Sequence, residues 1–352
     1  MTEAAAIEEV YARSTWRKIF FISILLVCVV GIAILAISIG AASISVGESL
    51  RAVFSKFLPL EASELAQLVV LQLRLPRILM AVIAGVSLGV AGAVMQGVLR
   101  NPLVSPYTLG LSSGAACGAA LAIVMGVSIF GIGQYVIIAN AFVFSLLTML
   151  LVLGISRIRG TSIETIILAG VALGYLFSAV ISALKYTSEQ EQLREIVFWL
   201  MGDLSATGWQ TIIILLPIVT VLTIYAMRYS WDLNAMSAGE EVATSLGVKV
   251  SRVRIISLVL SAILTATVIA FTGIIGFIGL VSPHICRLIV GSDHRFLIPA
   301  SGMMGALLLL VSDTVCRTII QPTEIPVGIV TSFIGVPFFL YLLTRKRRRW
   351  WQ

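Results

Sequence analysis

The sequence predicts an all-α polytopic membrane protein, and three observations support this fold class. First, 59% of the 352 residues are hydrophobic and only 12% are charged, about half the charged fraction of a soluble domain. Second, the charges cluster and leave apolar stretches of about 20 residues or more, the length that a helix needs to cross a bilayer. Third, these stretches are continuous, whereas the short strands of a membrane β-barrel would alternate.

Ten membrane spans with both termini in the cytoplasm are expected. Their starts fall near residues 19, 75, 106, 136, 165, 211, 255, 273, 296 and 326. Residues 1–18 form a polar cytoplasmic lead, and residues 345–352 form a basic cytoplasmic tail expected to bind an anionic leaflet. Most of the 24 Lys and Arg residues then lie inside, as the positive-inside rule requires. The formal charge of +7 therefore needs no nucleic-acid partner.

Several kinds of site are not expected. The apolar run from Ile19 is too long for a cleavable signal peptide. The four cysteines lack metal-ligand spacing and are interpreted as packing residues, and the two histidines do not form a metal motif. The chain has no Gly-x-x-x-x-Gly-Lys-Ser/Thr phosphate loop, so we expect no nucleotide site of its own. No cofactor and no metal site are predicted.

An apolar segment that begins at Gly273 contains glycines at every third position, Gly276 and Gly279, and then Pro283. Proline removes a backbone donor, and an unpaired backbone group in hydrocarbon costs several kcal/mol. The break must therefore be buried against protein or line a cavity. A kinked span that serves packing alone and a pathway element both remain open, and His284 is interpreted as structural or pathway-facing.

A second broken segment carries Pro106, after the inside end of the second span. The pentapeptide 103–107 (Leu-Val-Ser-Pro-Tyr) resembles residues 280–284 (Leu-Val-Ser-Pro-His), and the expected topology places the two at opposite ends. An inverted-topology repeat of spans two to five and seven to ten would give this arrangement. Chance similarity over five residues is the alternative.

Glycines also mark one face of two spans. Gly85, Gly89 and Gly92 lie in the second span, and Gly110, Gly114 and Gly118 lie in the third. Each set predicts a face that allows close approach of another helix, with generic small residues of a membrane helix as the alternative.

The cytoplasmic segment 228–254 contains a predicted short helix. Ser237 and Glu240 have the spacing of a capping box, Gly239 lies between them, and the helix from Glu240 to Leu246 ends at Gly247, a favourable residue after a helix. Two turns are too short to be stable alone. The helix is therefore expected to dock, either on this chain's own membrane face or on a cytoplasmic partner.

Three arginines, Arg74, Arg77 and Arg317, are expected at the outer ends of spans, against the positive-inside bias. They are either bilayer anchors or residues that meet an acidic partner. Asp313 lies one helical turn before Arg317, so the two are expected to pair. Leu75 precedes Pro76 and is expected to be extended.

Five motifs occur in order between about residues 70 and 343: Leu73-Arg74-Leu75-Pro76-Arg77; Gln96 with Arg100-Asn101-Pro102-Leu103; Gly202-Asp203-Leu204-Ser205; Gly276-Phe277-Ile278-Gly279-Leu280 with Pro283-His284 and Asp293-His294-Arg295; and Glu324-Ile325-Pro326-Val327-Gly328. Together they resemble the FecCD-type permeases, the membrane subunits of ABC importers for iron–siderophore, haem and cobalamin. Residues 19–344 would then be the permease domain, in the plasma or inner membrane, and 228–254 its coupling segment.

The resemblance implies a homodimer with the pathway along the dimer axis, two cytoplasmic ATPase subunits and an external substrate-binding protein. Arg74, Arg77 and Arg317 would meet acidic residues of the binding protein, and residues 237–248, including Glu241, would meet the ATPase. The chain itself would catalyse no covalent chemistry. Iron(III)–siderophore is the first expected cargo, with cobalamin or haem as alternatives. An ion-coupled secondary transporter, the distant alternative, would need charged relays deep in its spans, and a receptor or scaffold would leave the broken segments unexplained.

Overall fold

The computed structural model describes residues 3–40, 42, 44–55, 61–126, 134–158, 162–321 and 323–344, and within these ranges the chain is helical without a β-strand. The basic tail, 345–352, lies outside the described residues. Seven described helices are long and apolar enough to cross a membrane, and three shorter apolar helices occupy the places of the expected spans three, eight and ten. The all-α membrane fold is confirmed, whereas the count of ten spans and the cytoplasmic termini stay predictions.

The first part of the chain, up to residue 201, contains eight of the described helices. They are α1 (Glu3–Ser38), α2 (Val46–Phe54), α3 (Glu64–Leu68), α4 (Leu75–Val98), α5 (Leu111–Met125), α6 (Gln134–Ile158), α7 (Ile163–Thr187) and α8 (Gln190–Met201). The remaining described helices are α9 (Trp209–Arg228), α10 (Ser230–Ser237), α11 (Glu240–Ser245), α12 (Val250–Thr272), α13 (Ile278–Val290), α14 (His294–Cys316) and α15 (Val327–Thr344).

A π-helical turn, Val69–Arg74, joins α3 to α4, so the helix is continuous from Glu64 to Val98. The expectation that Leu75 is extended is wrong, because its φ and ψ are −65° and −46°. In a π turn the amide of residue i bonds the carbonyl of residue i−5, so the missing amide of Pro76 would face the carbonyl of Leu71. The indole Nε1 of Trp209 donates to that carbonyl at 2.8 Å. The carbonyl therefore keeps a hydrogen-bond donor, and the proline does not interrupt the helix.

Helix α4 is almost wholly buried and packs most extensively against α14. A Cβ at Gly85 would lie 2.4 Å from the carbonyl oxygen of Gly305, and one at Gly89 would lie 2.2 Å from that of Ser301. Distances this short mean that the two backbones touch, which only glycine permits. The predicted close-packing face of α4 is confirmed.

Helix α5 uses its glycines in the same way. A Cβ at Gly114 would lie 3.0 Å from the carbonyl oxygen of Phe144, and one at Gly118 would lie 2.4 Å from that of Asn140, both on α6. The four-residue spacing of these glycines therefore produces a contact between helix backbones, as expected.

Replacing Gly92 by alanine is expected to destabilise the protein by about 1–3 kcal/mol, the usual cost of overpacking. The new Cβ would lie 1.8 Å from the carbonyl oxygen of Gly279 on α13. Thermal unfolding of the purified protein measures the effect. Gly154→Ala on α6 is the matched control, because nothing lies within 4 Å of its Cβ position, and it should be neutral or stabilising. Equal melting temperatures for the two variants would contradict the close packing.

Three glycines from separate segments meet at the predicted outer end: Gly202, Gly273 and Gly328. A Cβ at each would lie 2.2–2.3 Å from a backbone carbonyl oxygen of another segment. Gly202 and Gly273 have φ of 71° and 67°, a region that favours glycine. The amide of Val327 donates to the carbonyl of Gly202 at 3.1 Å. This junction fixes the end of α8 against the start of α15 and requires a residue without a Cβ at each of the three positions.

Candidate functional site

The break at Pro283 is buried against protein, one of the two alternatives that the sequence leaves open. Proline cannot donate to the carbonyl four residues earlier, which is that of Gly279. Helix α4 approaches this carbonyl at Gly92, whose absent Cβ would lie 1.8 Å from it. Pro283 itself lies inside α13, and Gly279 is also buried there. The freed carbonyl is therefore enclosed by a neighbouring backbone rather than by lipid.

The break at Pro106 lies in the turn before α5. The amide of Ser105 donates to Oγ1 of Thr108 at 2.9 Å, and the amide of Thr108 donates to Oγ of Ser105 at 3.3 Å. The amide of Leu111 donates to the carbonyl of Pro106 at 3.2 Å. The turn thus satisfies its own polar groups, as a non-helical segment at membrane depth must.

The two breaks lie against each other. A Cβ at Gly279 would lie 3.2 Å from Cδ of Pro106, and the cavity that both residues line measures about 20 Å³, enough for about one water molecule. Gly276 is different, because its Cβ position has only ordinary contacts, the nearest at 3.9 Å. The two similar pentapeptides differ in backbone, since Pro106 lies in a turn and Pro283 in a helix. The expectation that the pentapeptides lie at opposite ends is wrong, because Pro106 and Leu280 line the same cavity. The inverted repeat stays a prediction.

Phe277 begins α13 with a φ of 65°, which is uncommon for a bulky residue and costs about 1–3 kcal/mol. Its ring lies against Gly335 of α15, where a Cβ would be 2.3 Å from Cγ of the ring. His284 meets the same helix, with its ring edge on Phe338 at a centroid distance of 6.4 Å. Among the described residues no three His, Cys, Asp or Glu side chains come together as around a metal ion.

The predicted outer end contains five charged residues that we call the outer charge cluster. Four are joined by ion pairs, Arg77, Asp313, Arg317 and Glu324, and the fifth, Arg74, donates to backbone carbonyls beside them. Nε of Arg77 lies 2.8 Å from Oδ1 of Asp313, and its Nη1 lies 2.5 Å from Oε2 of Glu324. Nε of Arg317 lies 3.1 Å from Oδ2 of Asp313. The predicted pairing of Asp313 with Arg317 is confirmed, whereas the role of Glu324 was not predicted.

Two of these arginines also hold the end of α1. Nη1 of Arg74 donates to the carbonyl of Ile37 at 2.8 Å, and Nη1 of Arg317 donates to that of Ala36 at 3.3 Å. The last carbonyls of a helix have no partner within it, and the helix dipole attracts cations there. Gly40 leaves the necessary room, because a Cβ there would lie 3.0 Å from Nη2 of Arg74.

The three arginines are only 5–7% exposed, so none of them is a surface anchor in lipid. The outermost member of the cluster is Glu324, with a side chain 44% exposed. Docking of a binding protein on Arg74, Arg77 and Arg317 stays a prediction, and any partner would first meet Glu324.

At the predicted cytoplasmic end, the coupling segment folds into α10 and α11. The predicted capping box is wrong: Ser237 is the last residue of α10, and its Oγ donates to the carbonyl of Leu233 at 2.8 Å. Gly239 precedes α11 with a φ of 127°, which serine rarely adopts. A sharp turn between two short helices therefore replaces the expected side-chain cap.

The end of α11 agrees with the prediction. Gly247 has a φ of 85°, its amide donates to the carbonyl of Thr244, and the amide of Val248 donates to that of Ala243, which is a Schellman motif. Leu246, just before it, is 69% exposed. An exposed leucine on a short capped helix leaves an apolar surface available to a partner.

Glu240 joins three helices. Its Oε1 accepts from Nη2 of Arg254 on α12 at 2.5 Å and from Nη2 of Arg100 at 3.3 Å. Arg100 follows α4 with a φ of 44°, in the left-handed region that disfavours a side chain. Glu240 therefore does not cap α11 but ties it to α4 and α12. The sequence shows these charges but not their proximity.

A second tie joins α10 to α14. Nδ2 of Asn234 donates to Oδ1 of Asp293 at 2.8 Å, and the amide of His294 donates to Oδ1 of Asn234 at 2.8 Å. Partial burial would raise the pKa of Asp293, but hydrogen bonds from Arg295 and Asn234 outweigh it and lower the pKa to about 2. The carboxylate is thus charged at any physiological pH.

A cleft of about 570 Å³ lies between the coupling segment and the ends of the neighbouring helices. Its lining comes from three stretches: Leu99, Arg100, Asn101 and Pro102; Ile163, Glu164 and Ile167; and Ser237, Ala238 and Gly239. The cleft therefore places the turn between α10 and α11 next to the end of α4.

Comparisons with known proteins agree with the fold and the motifs. The model of the FecCD transport family matches residues 16–345. An ABC transporter permease protein of Methanocaldococcus jannaschii is 42% identical over 97% of this chain and 99% of that protein. A molybdate import system permease protein of Haemophilus influenzae is 36% identical over 95% of this chain and 97% of that protein.

Solved structures agree as well. One described as a metal-chelate type ABC transporter in an inward-facing conformation superposes with a TM-score of 0.81 at 35% identity, covering 92% of this chain and 98% of the other. With its apolar helices, the chain is a multi-pass protein of the inner membrane. The family match over nearly the whole sequence shows that this chain belongs to the FecCD transport family.

Proposed function

We propose that this chain is the membrane-spanning subunit of an ABC importer that moves a metal chelate into the cell, with an iron(III)–siderophore as the first cargo to be tested. The single observation that carries the proposal is the family match over residues 16–345. Cobalamin and haem remain alternative cargoes. The molybdate permease among the relatives adds a small oxoanion to the classes to be tested.

The ATP chemistry is assigned to separate subunits. Permeases of this family work with an ATPase subunit, and the sequence has no phosphate loop of its own. We propose two ATPase subunits that bind the coupling segments of a homodimer. The exposed Leu246 on α11 and the adjacent cleft support this location.

We assign the transmission of movement from the ATPase to the polar contacts that join the coupling segment to other helices. Glu240 connects α11 to α12 through Arg254 and to the end of α4 through Arg100. Asn234 connects α10 to α14 through Asp293. A movement of α10 and α11 would therefore displace α4, α12 and α14 together, and rocking of packed helices about a central site would alternate access.

Substrate delivery is assigned to an external binding protein that docks at the outer charge cluster. Three arginines and two carboxylates give this group of residues a formal charge of +1, which favours an acidic partner surface. The burial of the arginines means that docking must reach them through Glu324.

Reconstitution tests the proposal. The chain is purified with the ATPase and binding protein that it captures from its own cells, placed in proteoliposomes, and supplied with ferric siderophore, cobalamin, hemin or molybdate. We expect uptake of one cargo that requires ATP and the binding protein. Uptake driven by a proton or sodium gradient without ATP would instead support the secondary transporter, and ATP hydrolysis without any cargo uptake would contradict import.

A further inference from the structure

Charge balance in the outer charge cluster depends on one exposed residue. Asp313 has a fully buried side chain and contacts two buried arginines, Arg77 at 2.8 Å and Arg317 at 3.1 Å. One carboxylate cannot neutralise two guanidinium groups, so Arg77 has an edge left for a second, outer carboxylate. The second negative charge comes from Glu324, whose side chain is 44% exposed. Glu324 thus brings the four ion-paired residues to zero net charge, while Arg74 leaves the cluster as a whole at +1.

Arg77 can exchange its outer carboxylate partner, Glu324, while it keeps its buried partner, Asp313. Arg77 offers Nε to Asp313 and Nη1 to Glu324, so the two carboxylates occupy different edges of the guanidinium group. A different carboxylate could take the outer edge without disturbing the inner pair. Ion pairs with an exposed partner contribute little net stability, so exchange at this edge costs little. Loss of Asp313 would cost far more, because it is buried on every side.

We propose that Glu324 is an exchangeable counter-ion, which occupies Arg77 in the free transporter and is displaced by a carboxylate of the external binding protein. The inference rests on the proposed function. Exchange of one carboxylate for another keeps Arg77 paired throughout. It also frees the loop that leads into α15 (Val327–Thr344), since Glu324 lies three residues before that helix. Docking is thereby connected to the helix that packs on Phe277 and His284.

The first test is the chemical accessibility of Arg77. The full chain in lipid nanodiscs is treated with phenylglyoxal, an arginine-selective reagent, and modification of Arg77 is followed by peptide mass spectrometry. Glu324→Gln should be modified about two- to fivefold faster than wild type, the factor that corresponds to an ion pair of this exposure. Glu64→Gln, an exposed glutamate at the start of α3, is the matched control and should leave the rate unchanged. Equal rates in Glu324→Gln and wild type would overturn the proposal.

The second test is the affinity for the binding protein that co-purifies with the wild-type chain. Glu324→Gln should bind it about two- to fivefold more tightly, because no internal carboxylate has to leave. Glu324→Asp keeps the charge, should resemble wild type, and serves as the comparison if the glutamine variant melts early. Unchanged or weaker binding by Glu324→Gln overturns the exchange alone. If no binding protein binds the wild type, the proposed function fails as well, and the two failures are thus distinguishable.

Discussion

Replacing Asp313 by asparagine is expected to destabilise the protein by about 3–5 kcal/mol, the cost of removing one partner of a buried ion pair. The side chain is fully buried and contacts both Arg77 and Arg317. Asparagine keeps the volume but leaves two guanidinium groups facing one another with only the exposed Glu324 nearby. The loss is measured as a fall in melting temperature of the purified chain.

The matched control is Glu324→Gln, which removes the same charge from the same cluster at an exposed position. Its effect on stability should be about 0–1 kcal/mol. A double variant, Asp313→Asn with Arg77→Met, should recover part of the lost stability, because it removes one of the two arginine charges that no longer face the Asp313 carboxylate. If Asp313→Asn melted at the wild-type temperature, the cluster could not be a buried electrostatic unit.

Replacing Glu240 by alanine is expected to separate ATP hydrolysis from transport. The variant should still assemble with the ATPase, because the exposed Leu246 is retained, but the amount of cargo moved per ATP should fall by about two- to tenfold. The physical reason is the loss of the contacts to Arg254 at 2.5 Å and to Arg100 at 3.3 Å. Uptake and phosphate release are measured in the same proteoliposomes.

Glu241→Ala is the matched control for Glu240, since it removes the same charge one residue later at an exposed position. If Glu241→Ala uncoupled the transporter and Glu240→Ala did not, contact with the ATPase rather than the internal tie would set coupling. Arg100→Gly separates stability from coupling. It relieves a left-handed backbone conformation that costs about 1–2 kcal/mol, but it removes the contact with Glu240. It should melt no earlier than wild type and still couple less well.

Sequence patterns within one helix predicted local structure well. The glycine spacing of α4 and α5 predicted which faces touch neighbouring backbones, because helix geometry alone decides which residues share a face. The separation of Asp313 and Arg317 predicted their pairing for the same reason. The prediction that the helix ends at Gly247 was correct because few residues other than glycine adopt the left-handed conformation that this kind of helix end requires.

Patterns that depend on distant segments were not predictable. Arg77 and Asp313 are 236 residues apart in sequence, and nothing local indicates that they meet or that Glu324 joins them. The prediction of a capping box was wrong because Ser237 has the right sequence spacing but is the last residue of α10, whereas an N-cap residue is non-helical. The prediction that Leu75 is extended was wrong because the indole of Trp209, distant in sequence, donates to the carbonyl of Leu71 in place of the amide that Pro76 lacks.

The continuous helix from Glu64 to Val98 has a mechanical consequence. Its 35 residues span about 52 Å at 1.5 Å per residue, well beyond the hydrocarbon thickness of about 30 Å. Arg77, 13 residues after the start of this helix, belongs to the outer charge cluster, and Arg100, just after its end, meets Glu240. A single stiff rod therefore reaches both ends of the molecule. A displacement of α4 at one face would therefore be carried to the other face by the same helix.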